Sequence, residues 1–457
     1  MSVDGLAPPR LDRPAIPRPS ERRGRTLDRT DLRWSGPVGA VALVFAAGSH
    51  VAAAAAGPAS AAGLVVLGLV VVVALPWTAR VGRSVPGADL AGLLRLSLGL
   101  KLLATLPRFD SRVDAQVYHR MGATLADSFR SLDFTVETGR SIPGTGSVRY
   151  FTGLVEVLTL EDEFATFLVF SMIGFVGIVW FVQAFSIALP ALPIRRYALL
   201  VLLWPSLLYW PSSIGKESMM LFGLGACARG LAQVLRHRRT GIVWLGVGLA
   251  VAVLVRPHVG LIVVTAAVSA LIMRRPVGRA MGVTRLVVVG ALVFAGSLAV
   301  DAVERLLDID GLSPTGVTAA LDLAELRSAQ GGSVFESARI DSILDYPWGL
   351  VTVLVRPFPH EAVSAAMVLT AVEGAVLGGL MIAAVPRIVA QAGRLREEAY
   401  TIYAVVFMIV FVYLFSAIAN FGILARQRTT VIPLVLVLVA LPTRRERVRR
   451  RRVGSRP

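Results

Sequence analysis

The chain has 457 residues, of which 55% are hydrophobic and only 17% are charged, and its mean hydropathy is +0.68. A soluble domain does not need that much apolar surface, and repeated continuous runs near bilayer length instead predict an all-α polytopic membrane protein rather than a β-barrel. The net charge of +17 does not indicate nucleic-acid binding, because the arginines cluster in short loops beside apolar segments. The single cysteine, Cys227, excludes a disulfide framework or a cysteine-based metal site.

Residues 37–442 are predicted to form one transmembrane domain between two basic tails. Residues 1–36 are polar, Pro-rich and Arg-rich, and we interpret them as a disordered cytoplasmic tail. Residues 443–457 form a second basic cytoplasmic tail. About twelve apolar segments are predicted to be transmembrane helices. They are 37–56, 60–77, 90–106, 164–189, 197–210, 218–235, 241–255, 259–273, 284–300, 362–385, 400–418 and 431–441.

Two outer loops are predicted between these spans. The first, residues 107–163, is expected to hold short amphipathic helices at about 114–129 and 148–160, because of the spacing of its apolar residues. The second, residues 301–361, begins with a long polar stretch that ends near Asp345. It continues with residues 346–359, an apolar segment broken by prolines that we interpret as re-entrant or interfacial.

The distribution of arginines predicts the orientation in the membrane. Twelve spans put both termini on one side, and most basic loop residues fall on that same side. These residues are Arg80, Arg83, Arg195, Arg196, the run 236–239, Arg274, Arg275 and the arginines between 387 and 396. The positive-inside rule makes this side cytoplasmic, so both termini are expected to be cytoplasmic.

Several basic residues are predicted on the opposite, extracytoplasmic side, against this trend. They are Lys216, Arg256, Arg356, Arg426 and Arg428. The first outer loop adds Asp110, Asp114, Tyr118 and His119 to this side, and His258 follows Arg256 closely. An anionic headgroup is one reason for such a cluster, because guanidinium groups match phosphate oxygens in geometry. The alternative for each arginine is that it extends toward lipid phosphate.

Simpler roles also fit the individual candidates. Asp114 can pair with a neighbouring arginine of the loop. His119 fits a structural or surface role, since no His/Glu spacing supports a metal site, and His258 either orients a phosphate or caps a turn. Glu373 lies inside an apolar span, where it makes a buried polar contact or serves as a proton relay.

The first outer loop also resembles a known family. The pattern Asp-x-x-x-Tyr-x-x-x-Gly, here Asp114, Tyr118 and Gly122, directly follows an apolar span and resembles the first loop of the GT-C superfamily. These polytopic glycosyltransferases use polyprenyl-phosphate sugars and include protein O-mannosyltransferase-like and aminoarabinose-transferase-like enzymes. The stretches 210–217, 255–258 and 426–433 resemble patterns of bacterial membrane proteins of this kind.

The resemblance implies a glycosyltransferase that moves a sugar from a polyprenyl-phosphate donor to a glycan, lipid or protein acceptor of the cell envelope. It implies a bacterial plasma-membrane protein with its active site on the extracytoplasmic face. Asp114 or Asp110 would be the catalytic base, and Asp114 is preferred because Tyr118 and Gly122 follow it at helical spacing. The substrate and its phosphate would be bound by Lys216, Arg256, His258, Arg356, Arg426, Arg428, Tyr118 and His119. No metal ligand set is predicted and no cofactor is assigned, although a divalent cation is compatible with this chemistry.

The sequence departs from the family in that its acidic pair is spread out as Asp110 and Asp114, and in that two spans precede the one feeding the loop. Three other classes of protein therefore stay open. One is an O-antigen-polymerase-type polysaccharide polymerase, which relies on outer arginines and needs no carboxylate base. The others are a flippase or transporter for lipid-linked substrates, although we find no internal repeat, and a structural or assembly subunit.

Overall fold

The structure is a computed structural model that describes residues 32–55, 60–86, 88–111, 113–274, 279–307, 313–392 and 398–442. Both predicted tails lie outside these residues, apart from the end of the first. The predicted all-α class is confirmed for the part of the chain described, which holds helices and one isolated antiparallel bridge between Val334 and Asn420. The architecture is that of a helical membrane protein.

Six helices of the described part are long and apolar enough to cross a membrane. They are α1 (Ser35–Ala55), α2 (Ala61–Ser84), α6 (Glu163–Ala188), α9 (Lys216–Leu235), α12 (Arg279–Leu307) and α15 (Ala365–Ala392). Two short helices, α17 (Phe421–Arg428) and α18 (Ile432–Val439), pass the same test together but are bent by 61°. The number of candidate spans is therefore six, or up to seven with this bent pair, and the twelve predicted spans stay a prediction.

The remaining helices are shorter or more polar. Four are apolar, namely α10 (Thr240–Val255), α11 (Pro257–Met273), α14 (Tyr346–Leu354) and α16 (Ala399–Phe415). The others are α3 (Ala91–Asp110), α4 (Val113–Arg130), α5 (Thr145–Thr159), α7 (Ile194–Leu202), α8 (Pro205–Tyr209) and α13 (Pro314–Ser328). Single 3₁₀ turns occur at Ile343–Asp345 and Pro359–Glu361.

Several helix limits differ from the predicted ones for local reasons. The predicted span 197–210 is broken into α7 and α8 at Trp204, because Pro205 cannot continue the hydrogen bonding of the preceding helix. The predicted polar loop from 301 is partly helical, since α12 runs to Leu307 and α13 begins with Ser313 as its N-cap. In both cases a single residue, Pro205 or Ser313, sets the helix limit that the average hydropathy of the segment does not show.

Helix α9 is the centre of the bundle, because α6 packs on one side of it and α10 on the other. The contacts use small residues: a Cβ atom on Gly225 would overlap the Gly177 carbonyl of α6. A Cβ atom on Gly248 of α10 would likewise overlap the backbone of α9 at Gly223. Close approach of this kind is typical of helices packed inside a membrane. It fixes the position of the N-terminus of α9, which carries part of the candidate site.

Candidate functional site: a cationic cavity at the start of α9

A cavity of about 240 Å³ opens where the N-terminus of α9 meets α4, α17 and the end of α3. It is lined by Arg108, Asp114, Tyr118, Ser213, Ile214, Gly215, Lys216, Glu217, Arg256, Ile423, Arg426 and Gln427. Of the predicted site residues, the structure therefore brings together Asp114, Tyr118, Lys216, Arg256 and Arg426 around one space. These residues come from four separate stretches of the sequence.

The floor of the cavity is the loop between α8 and α9, and a buried lysine supports this loop. Lys101 of α3 is completely buried and donates hydrogen bonds to the Pro211 carbonyl oxygen (3.0 Å) and to Ser212 Oγ (3.2 Å). Ser218 Oγ donates to the same Pro211 oxygen at 3.0 Å and to the Ser213 carbonyl oxygen at 2.8 Å. A buried charge is costly unless it is well hydrogen-bonded, so these contacts tie α3 firmly to the loop.

Gly215 ends this loop and aims the first residues of α9 into the cavity. Its backbone angles, φ +156° and ψ −175°, belong to a region that is essentially restricted to glycine. The next residue, Lys216, donates from Nζ to Thr145 Oγ1 of α5 at 3.0 Å. Glu217 accepts from Arg256 Nη2 at 2.9 Å, and both side chains of this pair are largely buried. The other terminal nitrogen of Arg256, Nη1, is buried and has no hydrogen-bond partner among the residues that the structure describes.

Helix α4 presents Asp114 and Tyr118 to the cavity and packs on α5. The packing depends on Gly122, where a Cβ atom would lie 2.7 Å from Thr152 Cγ2. On the same helix, His119 donates from Nδ1 to Oε1 of the fully buried Glu156 at 2.8 Å. This hydrogen bond raises the pKa of His119 from its usual value, despite partial burial of the ring. His119 thus ties α4 to α5, and it does not line the cavity.

Asp114 is held at the mouth of the cavity by Arg426 of α17. Arg426 Nη1 lies 2.6 Å from Asp114 Oδ2, and the carboxylate side chain is 67% exposed. Tyr118 lies deeper, where burial and the nearby Glu217 carboxylate raise the pKa of its phenol to about 12. Tyr118 is therefore neutral near pH 7 and can donate a hydrogen bond into the cavity.

The charges that line the cavity do not balance. Four cations and two carboxylates leave an excess of two positive charges among the described lining residues. The two carboxylates form the ion pairs Asp114–Arg426 and Glu217–Arg256.

Within the described part of the chain, Lys216 and Arg108 bond to hydroxyl groups and form no ion pair. For Arg108 these are Ser213 Oγ at 3.0 Å and Ser111 Oγ at 3.2 Å. An anion would complete this arrangement, because guanidinium and ammonium groups bind phosphate by charge-assisted hydrogen bonds.

Two predicted phosphate ligands, Arg356 and Arg428, are placed outside the cavity. The Arg356 guanidinium is bonded to Glu361, with Nε 3.0 Å from Oε1, and its carbon lies 4.7 Å from the Phe335 ring and 5.3 Å from the Phe421 ring. Arg428 is buried and donates to the carbonyl oxygens of Val353 and Arg356. Both side chains are engaged in holding α14 and its following turn against α17.

The other predicted residues also lie apart from the cavity. Asp110 is the exposed last residue of α3, and it is not among the lining residues. The His258 ring sits in the first turn of α11, 5.9 Å from the ring of Phe415. Glu373 of α15 accepts hydrogen bonds from Trp204 Nε1 (2.5 Å), Ser206 N (2.9 Å) and Ser206 Oγ (2.5 Å), so it makes the buried polar contact that was one of its two interpretations.

Sequence reasoning did not select Arg108 or Glu217 as site residues and assigned no role to Lys101. Arg108 lies in the last turn of α3, directly before Asp110 and Asp114 of the first outer loop. Its guanidinium carbon is 5.2 Å from the ring centres of both Tyr209 and Trp210. For Lys101 the sequence does carry a signal, because this lysine lies in the middle of the predicted span 90–106. A lysine at such a position must face protein unless its side chain reaches the membrane interface.

Among the residues that the structure describes, no group of three or more His, Cys, Asp or Glu side chains is arranged to hold a metal ion. Comparison of the chain with protein-family models, with curated proteins and with solved structures gives no match.

Proposed function

We propose that the protein is a GT-C-like membrane glycosyltransferase that moves a sugar from a polyprenyl-phosphate donor to a cell-envelope glycan, lipid or protein. The observation that carries this proposal is the cavity in which one solvent-exposed carboxylate, Asp114, faces an excess of positive charge. The same loop residues carry the resemblance to the GT-C superfamily. Membrane lipids would surround the site and deliver the lipid-linked donor.

Asp114 is the group suited to act as the base. In the proposed reaction, the acceptor hydroxyl oxygen attacks the anomeric carbon of the donor sugar and forms the new glycosidic bond. The bond between that carbon and the phosphate oxygen breaks, and the phosphate keeps the electron pair. The hydroxyl proton passes to the Asp114 carboxylate, which is exposed and so can be reached by the acceptor.

The cations are suited to the leaving group. A phosphodiester donor carries one negative charge, and the departing polyprenyl phosphate gains a second as the bond breaks. An excess of two positive charges therefore complements the leaving group better than the intact donor, which is the condition for faster reaction. Lys216 and Arg108 are assigned to the phosphate because neither is neutralised by a carboxylate of the described residues. Arg256 Nη1, which has no hydrogen-bond partner among the described residues, adds a donor.

The proposal includes twelve passes through a bacterial plasma membrane, with both termini cytoplasmic and the cavity on the extracytoplasmic face. It is supported by the clustering of arginines in the loops away from the cavity. Cysteines introduced at Ser111 and Ser333 are expected to react with an impermeant reagent in intact cells. Reaction at Ser111 only after permeabilisation would contradict the proposed orientation.

A polysaccharide polymerase is the second candidate, and one observation favours it. Arg426 already neutralises Asp114, so the active part of the cavity is mainly cationic, as a reaction without a carboxylate base requires. Both candidates predict binding of a lipid-linked phosphate in the cavity. They differ in whether the Asp114 carboxylate is needed.

The test compares Asp114→Asn with Asp110→Asn in the purified full-length protein supplied with a labelled pool of polyprenyl-phosphate sugars. Asp114→Asn is expected to lower turnover by about 10²–10⁴-fold, the usual contribution of a general base. Asp110→Asn is the matched control, since Asp110 is an exposed carboxylate outside the cavity lining. Full activity in Asp114→Asn with loss in Asp110→Asn would exchange their roles. Full activity in both would remove the carboxylate base and favour the polymerase.

A further inference from the structure

A second unusual cation lies in α9, near the end that is remote from the cavity. The guanidinium carbon of Arg229 is 4.8 Å from the centre of the Trp244 ring of α10 and 5.8 Å from that of Trp180 of α6. The two indole rings are themselves only 4.8 Å apart. An arginine and two tryptophans from three different helices thus form one cluster.

The edge of the Arg229 guanidinium has no acceptor within the described part of the chain. Its Nε is buried without a hydrogen-bond partner, and no ion pair or hydrogen bond joins its other nitrogens to a described residue. A guanidinium has five N–H donors, and the aromatic contacts engage only its face. An arginine within a membrane helix is costly unless these donors are satisfied. The described residues therefore leave this guanidinium edge open to an acceptor other than themselves.

The surroundings indicate which acceptor this is. Trp244 lies close to the start of α10, and Arg236 at the nearby end of α9 donates to the Ile187 and Ala188 carbonyl oxygens. Tryptophan and arginine at a helix end are typical of the boundary between lipid tails and headgroups. Beside them, α10 exposes the apolar side chain of Val243, which is 65% exposed. The cluster thus opens toward lipid at the depth of the headgroups.

We propose that Arg229, Trp180 and Trp244 bind the phosphate group of a membrane lipid at the end of α9 opposite the cavity. The guanidinium edge donates to two phosphate oxygens, and the partly exposed indole of Trp244 packs along the glycerol and upper acyl chains. The indole of Trp180 is buried and supports the guanidinium from the protein side. The site is independent of the transferase proposal, because it lies at the other end of α9 and requires no reaction.

The test measures lipid binding to the detergent-purified full chain through the shift in its thermal unfolding midpoint. Phosphatidylglycerol is titrated into a phosphate-free detergent, with diacylglycerol of the same acyl chains as the phosphate-free control. Binding of phosphatidylglycerol is expected to weaken by about tenfold or more in Arg229→Gln, the scale of a lost hydrogen-bonded charge. Arg229→Lys should retain part of the affinity, since it keeps the charge but loses the planar fork. Arg83→Gln removes an equal charge from an exposed position of α2 and should bind like the parent.

Three results would overturn the site. The first is equal phosphatidylglycerol binding by Arg229→Gln and the parent, which would leave water as the acceptor. The second is equal stabilisation by diacylglycerol, which would leave only acyl-chain packing. The third is equal stabilisation by inorganic phosphate alone, which would show an anion site that does not select lipid. If Arg229→Gln does not fold, Trp244→Leu tests the same cluster and is expected to weaken binding several-fold.

Discussion

The two ends of the helix bundle both carry arginines but use them differently. Away from the cavity, guanidinium groups donate to backbone carbonyls at helix C-termini. Arg236 bonds to Ile187 and Ala188, Arg274 to Leu235 (2.6 Å) and Arg387 to Val439 (3.0 Å). Around the cavity, the cations bond mainly to side chains, and Arg256 keeps one buried nitrogen without a partner among the described residues.

The difference shows which cations stabilise the fold. A cation at a helix C-terminus interacts favourably with the helix dipole and satisfies carbonyls that have no partner within the helix. Lys216 does the opposite, because it is the first residue of α9 and adds positive charge to the positive end of the dipole. Arg256 and Arg426 add further positive charge beside the same helix start. Such a cluster does not serve stability alone, and the anionic substrate proposed above would account for it.

The first prediction breaks the buried pair at the cavity end and has the largest expected effect. Arg256→Met should leave the Glu217 carboxylate unpaired in a largely buried position and destabilise the protein by about 3 kcal/mol. Adding Glu217→Gln should restore much of this loss, since the remaining side chain is neutral. Thermal unfolding of the parent, the single and the double variant measures both effects, with donor binding measured in parallel. The double variant should be stable and still bind the donor poorly. Recovery of binding together with stability would mean that Arg256 acts only as a partner of Glu217.

Much of the fold could be predicted from the sequence, because long apolar runs determine where helices form. The predicted spans 37–56, 164–189 and 218–235 correspond closely to α1, α6 and α9. The bend between α17 and α18 was not predicted, although Pro433 lies at the start of α18 and Asn420 caps α17. The predicted span 431–441 therefore covers α18 but not α17, whose polar residues lower the local hydropathy.

The candidate site could be predicted only in part, because sidedness groups residues without showing what each one contacts. Lys216, Arg256 and Arg426 were selected by sidedness and line the cavity. Arg356 and Arg428 satisfied the same criterion, yet they contact Glu361 and backbone carbonyls. The proximity of Glu361 to Arg356 in the sequence was a usable signal. The burial of Arg428 depends on α14 and could not be deduced from sequence spacing.

The second prediction compares the removal of one cation at each end of the bundle. Lys216→Ala should weaken binding of a polyprenyl-phosphate analogue by about 10–100-fold, because a hydrogen bond to a charged group contributes about 1.5–3 kcal/mol. It should leave the unfolding midpoint unchanged or slightly raised, since a charge opposed by the helix dipole is removed. Arg387→Ala should do the reverse, lowering stability by about 1 kcal/mol with unchanged binding. Equal effects of both variants on binding would show that the cations at the cavity end are no more important for donor binding than those at the other end.

The last prediction concerns pH and has the smallest expected effect. The hydrogen bond to Glu156 raises the pKa of His119 in the folded protein, so the charged imidazole stabilises the contact between α4 and α5. Because the folded pKa is the higher one, this contribution is complete below the pKa of the unfolded chain and is lost as pH rises through the folded value. The unfolding midpoint of the parent should therefore fall relative to that of His119→Gln as pH increases from about 6 toward 8. The difference should be on the order of 1 kcal/mol, because one unit of pKa shift corresponds to about 1.4 kcal/mol. A difference that is constant across this range would show that His119 holds α4 on α5 through a neutral hydrogen bond. In that case the charge at this position would contribute nothing, and the cavity cations alone would account for the electrostatics of this end of the bundle.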